Sequence, residues 1–123
     1  MPPFTLEIAL QKVQKAEMLG IVDPINVSKS YAEDTEWRNR DQFINGRGEV
    51  VRFLSQKWGK ELDYKLKKDL WAFTDNRIAV KFEYEFHDAP RQWYSAYGNE
   101  NREFNANGLM KKDMHQLIIF QLI

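Results

Sequence analysis

Between Ile78 and His87 the chain keeps a strict period of two. Ile78, Val80, Phe82, Tyr84 and Phe86 alternate with Ala79, Lys81, Glu83, Glu85 and His87. Successive side chains of a strand point to opposite faces, so this pattern dictates a strand with one buried face. A single such strand has nowhere to bury that face, and its neighbours must complete a sheet. Asp75-Asn76 supplies a hairpin turn just before it. That makes Leu62 to Phe73 the preceding strand, its alternation diluted by lysines. Asp88-Ala89-Pro90 then turns into a strand over Trp93–Phe104, and Asn105-Ala106-Asn107-Gly108 into a last strand from Leu109 onward.

The first half reads differently. Thr5 caps a helix on which Leu6, Ala9, Leu10, Val13 and Ala16 recur at helical spacing, with Gly20 as its stop. Asp23-Pro24 opens a short second helix carrying Val27 and Tyr31 on one face. A short strand is expected near Thr35–Asn39. Gly46 breaks the chain before a third helix with Val50, Val51, Phe53, Leu54, Lys57 and Trp58. Helices first and long antiparallel strands afterwards predict an α+β fold, with N-terminal helices packed on a strongly curved antiparallel sheet. With no linker or repeat, residues 1–123 read as one domain.

Composition narrows the function. Eighteen basic and eighteen acidic residues cancel, which argues against a nucleic-acid partner. The chain has no cysteine and two histidines, His87 and His115, so neither a thiolate site nor a histidine-rich metal site is expected. No apolar run reaches about 18 residues, and the N-terminus lacks the pattern of a secretory leader. No membrane contact and a cytoplasmic location are the expectation. Phosphate-binding glycine loops, nucleophile elbows and metal-ligand spacings are absent, so no cofactor and no metal are implied.

Trp93–Phe104 mixes rings, amides and carboxylates along one strand. That composition suits a sheet lining a mixed apolar and polar pocket. Parity puts Tyr97 and Asn99 on one face and Tyr94, Glu100 and Arg102 on the other, without saying which face is inside. An inward Arg102 needs a partner carboxylate to offset its desolvation. Trp37 and Asn39 likewise share a face, either as an aromatic wall with an orienting amide or as core. Lys65, Lys67, Lys68 and Asp69 oppose Lys81, Glu83 and Glu85 as a ladder of charge pairs on a solvated or dimer-facing surface. His87, near a strand end, is either a proton-transfer group or a structural histidine at a turn.

The order of elements, with Tyr-Ala-Glu-Asp at 31–34 and Trp-Arg-Asn-Arg at 37–40, resembles the nuclear transport factor two-like superfamily. That group includes ketosteroid isomerase-like and polyketide cyclase-like (SnoaL-like) proteins. Lys57-Trp58, Glu61–Tyr64, Leu70–Phe73, Asn76–Val80 and Tyr97–Glu100 extend the resemblance to an uncharacterised bacterial family within it. The resemblance implies a cone with an internal cavity, and a homodimer built on the outer face of the sheet. Laid on ketosteroid isomerases, Tyr31–Asp34 puts Asn39 where those enzymes hold a general-base aspartate. An amide cannot take that proton, and residues 5–20 contain no tyrosine to act as oxyanion donor. That isomerase chemistry is therefore not expected.

The expected function is a small-molecule-binding cone, with lyase, isomerase and hydrolase chemistry all open. Its candidate catalytic residues are His87 and Tyr97, and its candidate ligand contacts are Trp37, Asn39, Trp71, Tyr97 and Asn99. The alternative is a non-catalytic homodimeric binding or assembly module. A cavity of about 300 Å³ or more favours the first. An interior filled by Trp37, Trp58, Trp71 and Phe82 favours the second.

Two segments depart from the resembled family, residues 18–22 and 114–123. A codon choice exists in which restoring dropped bases turns Glu17–Asp23 into Glu-Asp-Ala-Trp-Asn-Ser-Arg-Asp. The neighbouring frame of Met114–Leu122 can read Ala-Ser-Ile-Asn-x-Phe-Pro-Ile, as in the family. Both segments therefore read as frameshift products, with natural divergence and redesign as alternatives. The four-residue apolar run Leu117–Phe120 does not alternate, so both its faces are expected to be covered.

Overall fold

A computed structural model describes residues 2–19 and 24–122. Three helices, α1 (Leu6–Leu19), α2 (Pro24–Ser28) and α3 (Arg47–Lys60), precede or interrupt six strands. These are β1 (Tyr31–Asn39), β2 (Gln42–Asn45), β3 (Leu62–Thr74), β4 (Arg77–His87), β5 (Trp93–Phe104) and β6 (Met110–Gln121). They form one sheet in the order β2-β1-β6-β5-β4-β3. Every pairing is antiparallel except β1 with β6, which run parallel. The predicted α+β architecture is present, with one parallel seam in its sheet.

The elements form where local chemistry and packing agree. Thr5 Oγ1 accepts the Ile8 N–H at 3.2 Å, satisfying one of the amides left free at the start of α1. That helix buries Ala9 and Val13 but leaves Leu6 and Leu10 exposed, so its buried stripe is narrower than its apolar one. The expected helix stop at Gly20, the Asp23 cap and most of the altered segment 18–22 lie outside the described residues. Tyr31 was expected on α2. It instead opens β1, where its backbone pairs with Met110. The strand β2 carries no alternation long enough to announce it. It is a four-residue edge strand that buries only Ile44.

Register irregularities occur at Tyr31/Glu36, Leu62/Lys65, Leu70/Ala72 and Glu103/Phe104. Bulges of this kind bend strands and sharpen twist, wrapping the long strands around the helices. Gly98 on β5 marks the tightest place. A Cβ there would meet the Gln116 carbonyl oxygen at 2.2 Å and Phe82 Cζ at 2.8 Å. Two apolar clusters result. One joins Phe4, Ala9 and Val13 to Trp37, Val50, Leu54, Ile78 and Val80. The other is a column of rings, Phe82, Tyr84 and Phe86, backed by Tyr64, Leu66, Tyr94 and Leu117.

The outer face carries the predicted charge ladder. Lys65 pairs with Glu85, Lys67 with Glu83 and Asp69 with Lys81. Lys68 was grouped with them, but it points inside, because the strand period returns it to the face of Phe82. The strand β6 holds its pairing with β5 to Gln121. Within one chain, however, Ile118, Ile119, Phe120 and Leu122 remain exposed. The coverage expected for both faces of the tail is therefore not supplied by its own chain.

Candidate site inside the cone

The inner face of the sheet reads as lateral rows. One row runs Asn39, His115, Glu100, Val80, Leu70 across β1, β6, β5, β4 and β3. The next runs Trp37, Asp113, Arg102, Ile78, Phe73. Both rows are apolar at the β3–β4 end and polar at the β1–β5 end. Above them lies a cavity of about 430 Å³, within the range of small-molecule sites. Trp37, Phe53, Trp58, Tyr64, Phe82 and Tyr84 form much of its wall. Tyr31, Asn39, Lys57, Lys68, Arg102 and His115 bring the polar groups.

Behind the wall sits a buried ion network centred on Glu100, whose side chain is 1% exposed. Its Oε1 accepts from Lys68 Nζ and from Arg102 Nη2, each at 2.7 Å. The carboxylate that an inward Arg102 requires is thus two residues away on the same strand. Burial alone would raise the Glu100 pKa, but the Arg102 and Lys68 charges prevail and hold it well below the usual carboxylate range. Asp113 goes the other way. Burial, the Glu100 charge and a hydrogen bond to Glu100 push its pKa well up. His115 Nε2 lies 2.9 Å from Glu100 Oε2 and Nδ1 lies 3.8 Å from Asp113 Oδ1. Burial lowers the His115 pKa against the pull of Glu100, so the imidazole is neutral near pH 7.

Among the described residues, several buried atoms here have no hydrogen-bond partner: Trp37 Nε1, Arg102 Nε, Glu100 Oε2, Asp113 Oδ1 and His115 Nδ1. Glu100 Oε2 has His115 Nε2 as its near neighbour at 2.9 Å. Buried polar groups are normally paired, so this concentration marks the polar end of the cavity. Glu100, Asp113 and His115 also place possible metal-donor atoms within 4.8 Å of one another. Lys68 and Arg102 already press two positive charges on Glu100, so the donor set suits an ion network better than a divalent cation.

A second polar group lies deeper along α3. Lys57 Nζ is 2.5 Å from Glu61 Oε1 and sits 4.6 Å and 4.2 Å from the ring centroids of Tyr64 and Tyr84. Burial lowers the Lys57 pKa and raises that of Glu61. The ring contacts favour the ammonium.

The structure divides the residues singled out from sequence. Trp37 and Asn39 line the cavity together, as their shared parity requires. Trp71, Tyr97 and Asn99 lie on the opposite, outer face, beside Lys81 and Ile118. They are not brought to Trp37 and Asn39, and Lys81 Nζ stacks 4.4 Å above the Trp71 ring instead. The parity of β5 settles this, because Glu100 and Arg102 take the inner face. His87 is not on the cavity wall. Its Nδ1 contacts the Asp88 carbonyl at 2.7 Å and its Nε2 contacts Asp63 Oδ2 at 2.6 Å. The Asp88 carbonyl and the Asp63 carboxylate raise its pKa. Two acceptors call for two N–H donors, so His87 serves as an imidazolium clamp between the start of β3 and the end of β4. His115, Asp113, Lys68 and Tyr31 were missed as site residues. The signal was weak: Asp113 and His115 are two apart on β6, but only the register with Glu100 and Arg102 gives them meaning.

Among curated proteins, none matches the chain. Solved structures match its fold. An epoxide hydrolase/cyclase-like enzyme, SalBIII, described for pyran ring formation in the polyether salinomycin, superposes with a TM-score of 0.76 at 12% identity, over 94% of this chain and 95% of that one. An NTF2-like protein of unknown function from Exiguobacterium sp. 255-15 gives 0.75 at 12% identity, over 89% and 98%. A hypothetical protein with a ketosteroid isomerase-like fold from Catenulispora acidiphila, solved in complex with trimethylamine, gives 0.76 at 10% identity, over 92% and 86%. These likenesses establish a nuclear transport factor two-like cone. A protein-family model described as a protein of unknown function, DUF1348, matches residues 2–118, and the chain belongs to that family.

Proposed function

We propose that this cone binds a small molecule in its interior, and that His115, backed by Glu100 and Asp113, moves a proton on that molecule. The reaction is of the lyase, isomerase or hydrolase kind. One observation carries the reading: a cavity of about 430 Å³ whose wall includes a buried histidine with an unpartnered Nδ1. With Nε2 turned towards the Glu100 carboxylate, Nε2 carries the hydrogen and Nδ1 the lone pair. Nδ1 then accepts a proton, and Glu100 steadies the imidazolium that forms. Asp113 Oδ1 lies 3.8 Å from the same nitrogen, and its raised pKa favours the protonated acid beside it. The SalBIII neighbour is described as epoxide hydrolase/cyclase-like, which keeps acid–base ring chemistry among the reactions this fold can host. The cavity volume also speaks against an interior filled by side chains, the alternative module.

The assembly we propose is a homodimer. Trp71, Tyr97, Ile118 and Phe120 are exposed on the outer face, and a second copy laid there would cover them.

The binding claim is tested by a thermal-shift screen of small aromatic compounds against the chain and against Leu54→Trp, which plugs the cavity. Ligands should raise the Tm of the natural chain and leave the plugged one unmoved. No shift with any compound, or equal shifts in both, would count against interior binding.

A further inference from the structure

The chain is neutral overall, but the cavity is not. Six cationic side chains, Lys12, Lys15, Lys29, Lys57, Lys68 and Arg102, belong to its wall, and among the described residues no Asp or Glu does. Glu61 and Glu100 stand just behind, each paired to cations already counted. Asp113 stands behind the wall too, and burial and the Glu100 charge push its pKa well up, away from the charged form. The interior and its mouth therefore carry a positive excess, concentrated by low-dielectric walls. Lys12 shows the effect. Its Nζ donates to the Gly108 carbonyl at 2.9 Å, a neutral acceptor, while Lys15 and Arg102 add positive charge nearby.

Donors without acceptors point the same way. Arg102 is 3% exposed, and its Nε has no partner among the described residues although Nη2 is bound to Glu100. Trp37 is 6% exposed, and its Nε1 is likewise unpartnered. Both residues line the cavity, and they flank Asp113 in one lateral row. Leaving such donors dry is costly. An anionic oxygen satisfies them with charge-assisted bonds. Much of the rest of the wall is aromatic and aliphatic, with Phe53, Leu54, Phe82 and Leu117 facing the same space.

Resting on the reading that the cavity binds a small molecule, we infer that its ligand is a small organic acid: one carboxylate on an apolar body. The carboxylate lies at the Arg102–Trp37 end, with Lys12 above it, and the apolar body lies against the rings of β4 and α3. The lysines at the mouth draw the anion in.

The test uses three matched probes on the full chain at low ionic strength and neutral pH: 3-phenylpropionate, 3-phenylpropanol and 3-phenylpropylamine. Calorimetry gives the affinities, and quenching of tryptophan fluorescence reports entry. The acid should bind at least about tenfold more tightly than the alcohol, since a hydrogen bond to a charged group is worth that much. The amine should bind most weakly. Lys12→Gln should weaken the acid by at least about threefold and the alcohol by clearly less, because it removes a charge whose described contacts are the neutral Gly108 carbonyl and the Phe104 ring face. The double variant Arg102→Gln with Glu100→Gln, which removes both buried charges together, should abolish the preference for the acid. Acid and alcohol binding equally would overturn the organic-acid assignment while leaving interior binding intact. A preference for the amine would do the same. Failure of all three probes would overturn both readings. A preference for the acid that survives in Lys12→Gln and in the double variant would place the anion elsewhere and overturn the proposal.

Discussion

The two histidines show how one side-chain type takes opposite roles. His115 is buried among rings and cations, and its pKa falls below the ordinary 6.5. His87 contacts two oxygen acceptors, and its pKa rises. An NMR titration of the imidazoles should separate them, one titrating below and the other above the ordinary value. The stability consequences have opposite signs. For His115 the folded state binds fewer protons than the unfolded chain, so stability is lost as pH falls below about 6.5 towards its folded pKa. For His87 the stabilisation is full below about 6.5 and is lost as pH rises through its raised folded value. His115→Gln should therefore flatten the acid side of a Tm–pH curve, and His87→Gln should remove an advantage seen only at low pH. Identical titrations of the two rings would refute this assignment. Gly98 makes a second point at this scale. An added methyl group would run into the Gln116 carbonyl, the Leu117 Cβ and the Phe82 ring. Gly98→Ala should cost about 3 kcal/mol or more in urea unfolding, at the upper end of overpacking penalties. Parity in the sequence paired Trp37 with Asn39 and Tyr97 with Asn99. It could not say which pair faces inward, because that depends on where the helices lie.

At the scale of elements, the β4 alternation, the hairpin at Asp75-Asn76 and the Thr5 cap were legible because each is a local signal. The strand β2 and the start of β1 were not, because both are fixed by partners distant in sequence. Tyr31 looks helical beside Val27 and becomes a strand residue only through Met110. The last strand is the most instructive element. β6 lies between β1 and β5 and brings Asp113 and His115 to the ion network. Source DNA whose codons cannot yield the second reading frames would exclude a frameshift origin. Truncation after Lys112 should remove an interior strand rather than a frayed tail. The shortened chain should be aggregated or unfolded by circular dichroism; a stable, soluble product would show that the sheet closes without β6.

The whole molecule presents two surfaces of opposite character. Its outer sheet face joins a charge ladder to exposed Trp71, Tyr97, Ile118 and Phe120. Its interior joins rings to an ion network. Light scattering at micromolar concentration should give the mass of a dimer, and Trp71→Ser with Ile118→Ser should give a monomer; a natural chain already monomeric would remove the dimer proposal while leaving the cone unchanged. No helix among the described residues is long and apolar enough to cross a membrane. The α+β class followed from the order of the elements and the cone from the family resemblance, whereas the site required the register of β5 against β6, which no local pattern contains. The central claim is that the interior is a binding site rather than a core. A high-resolution crystal structure, examined around Trp37 Nε1 and Arg102 Nε, tests it most directly. The account predicts non-protein density within hydrogen-bond distance of these two donors, in a cavity close to the present volume. An interior closed by Phe53, Phe82 and Leu117 packed against one another, with both donors bound to protein acceptors, would contradict it.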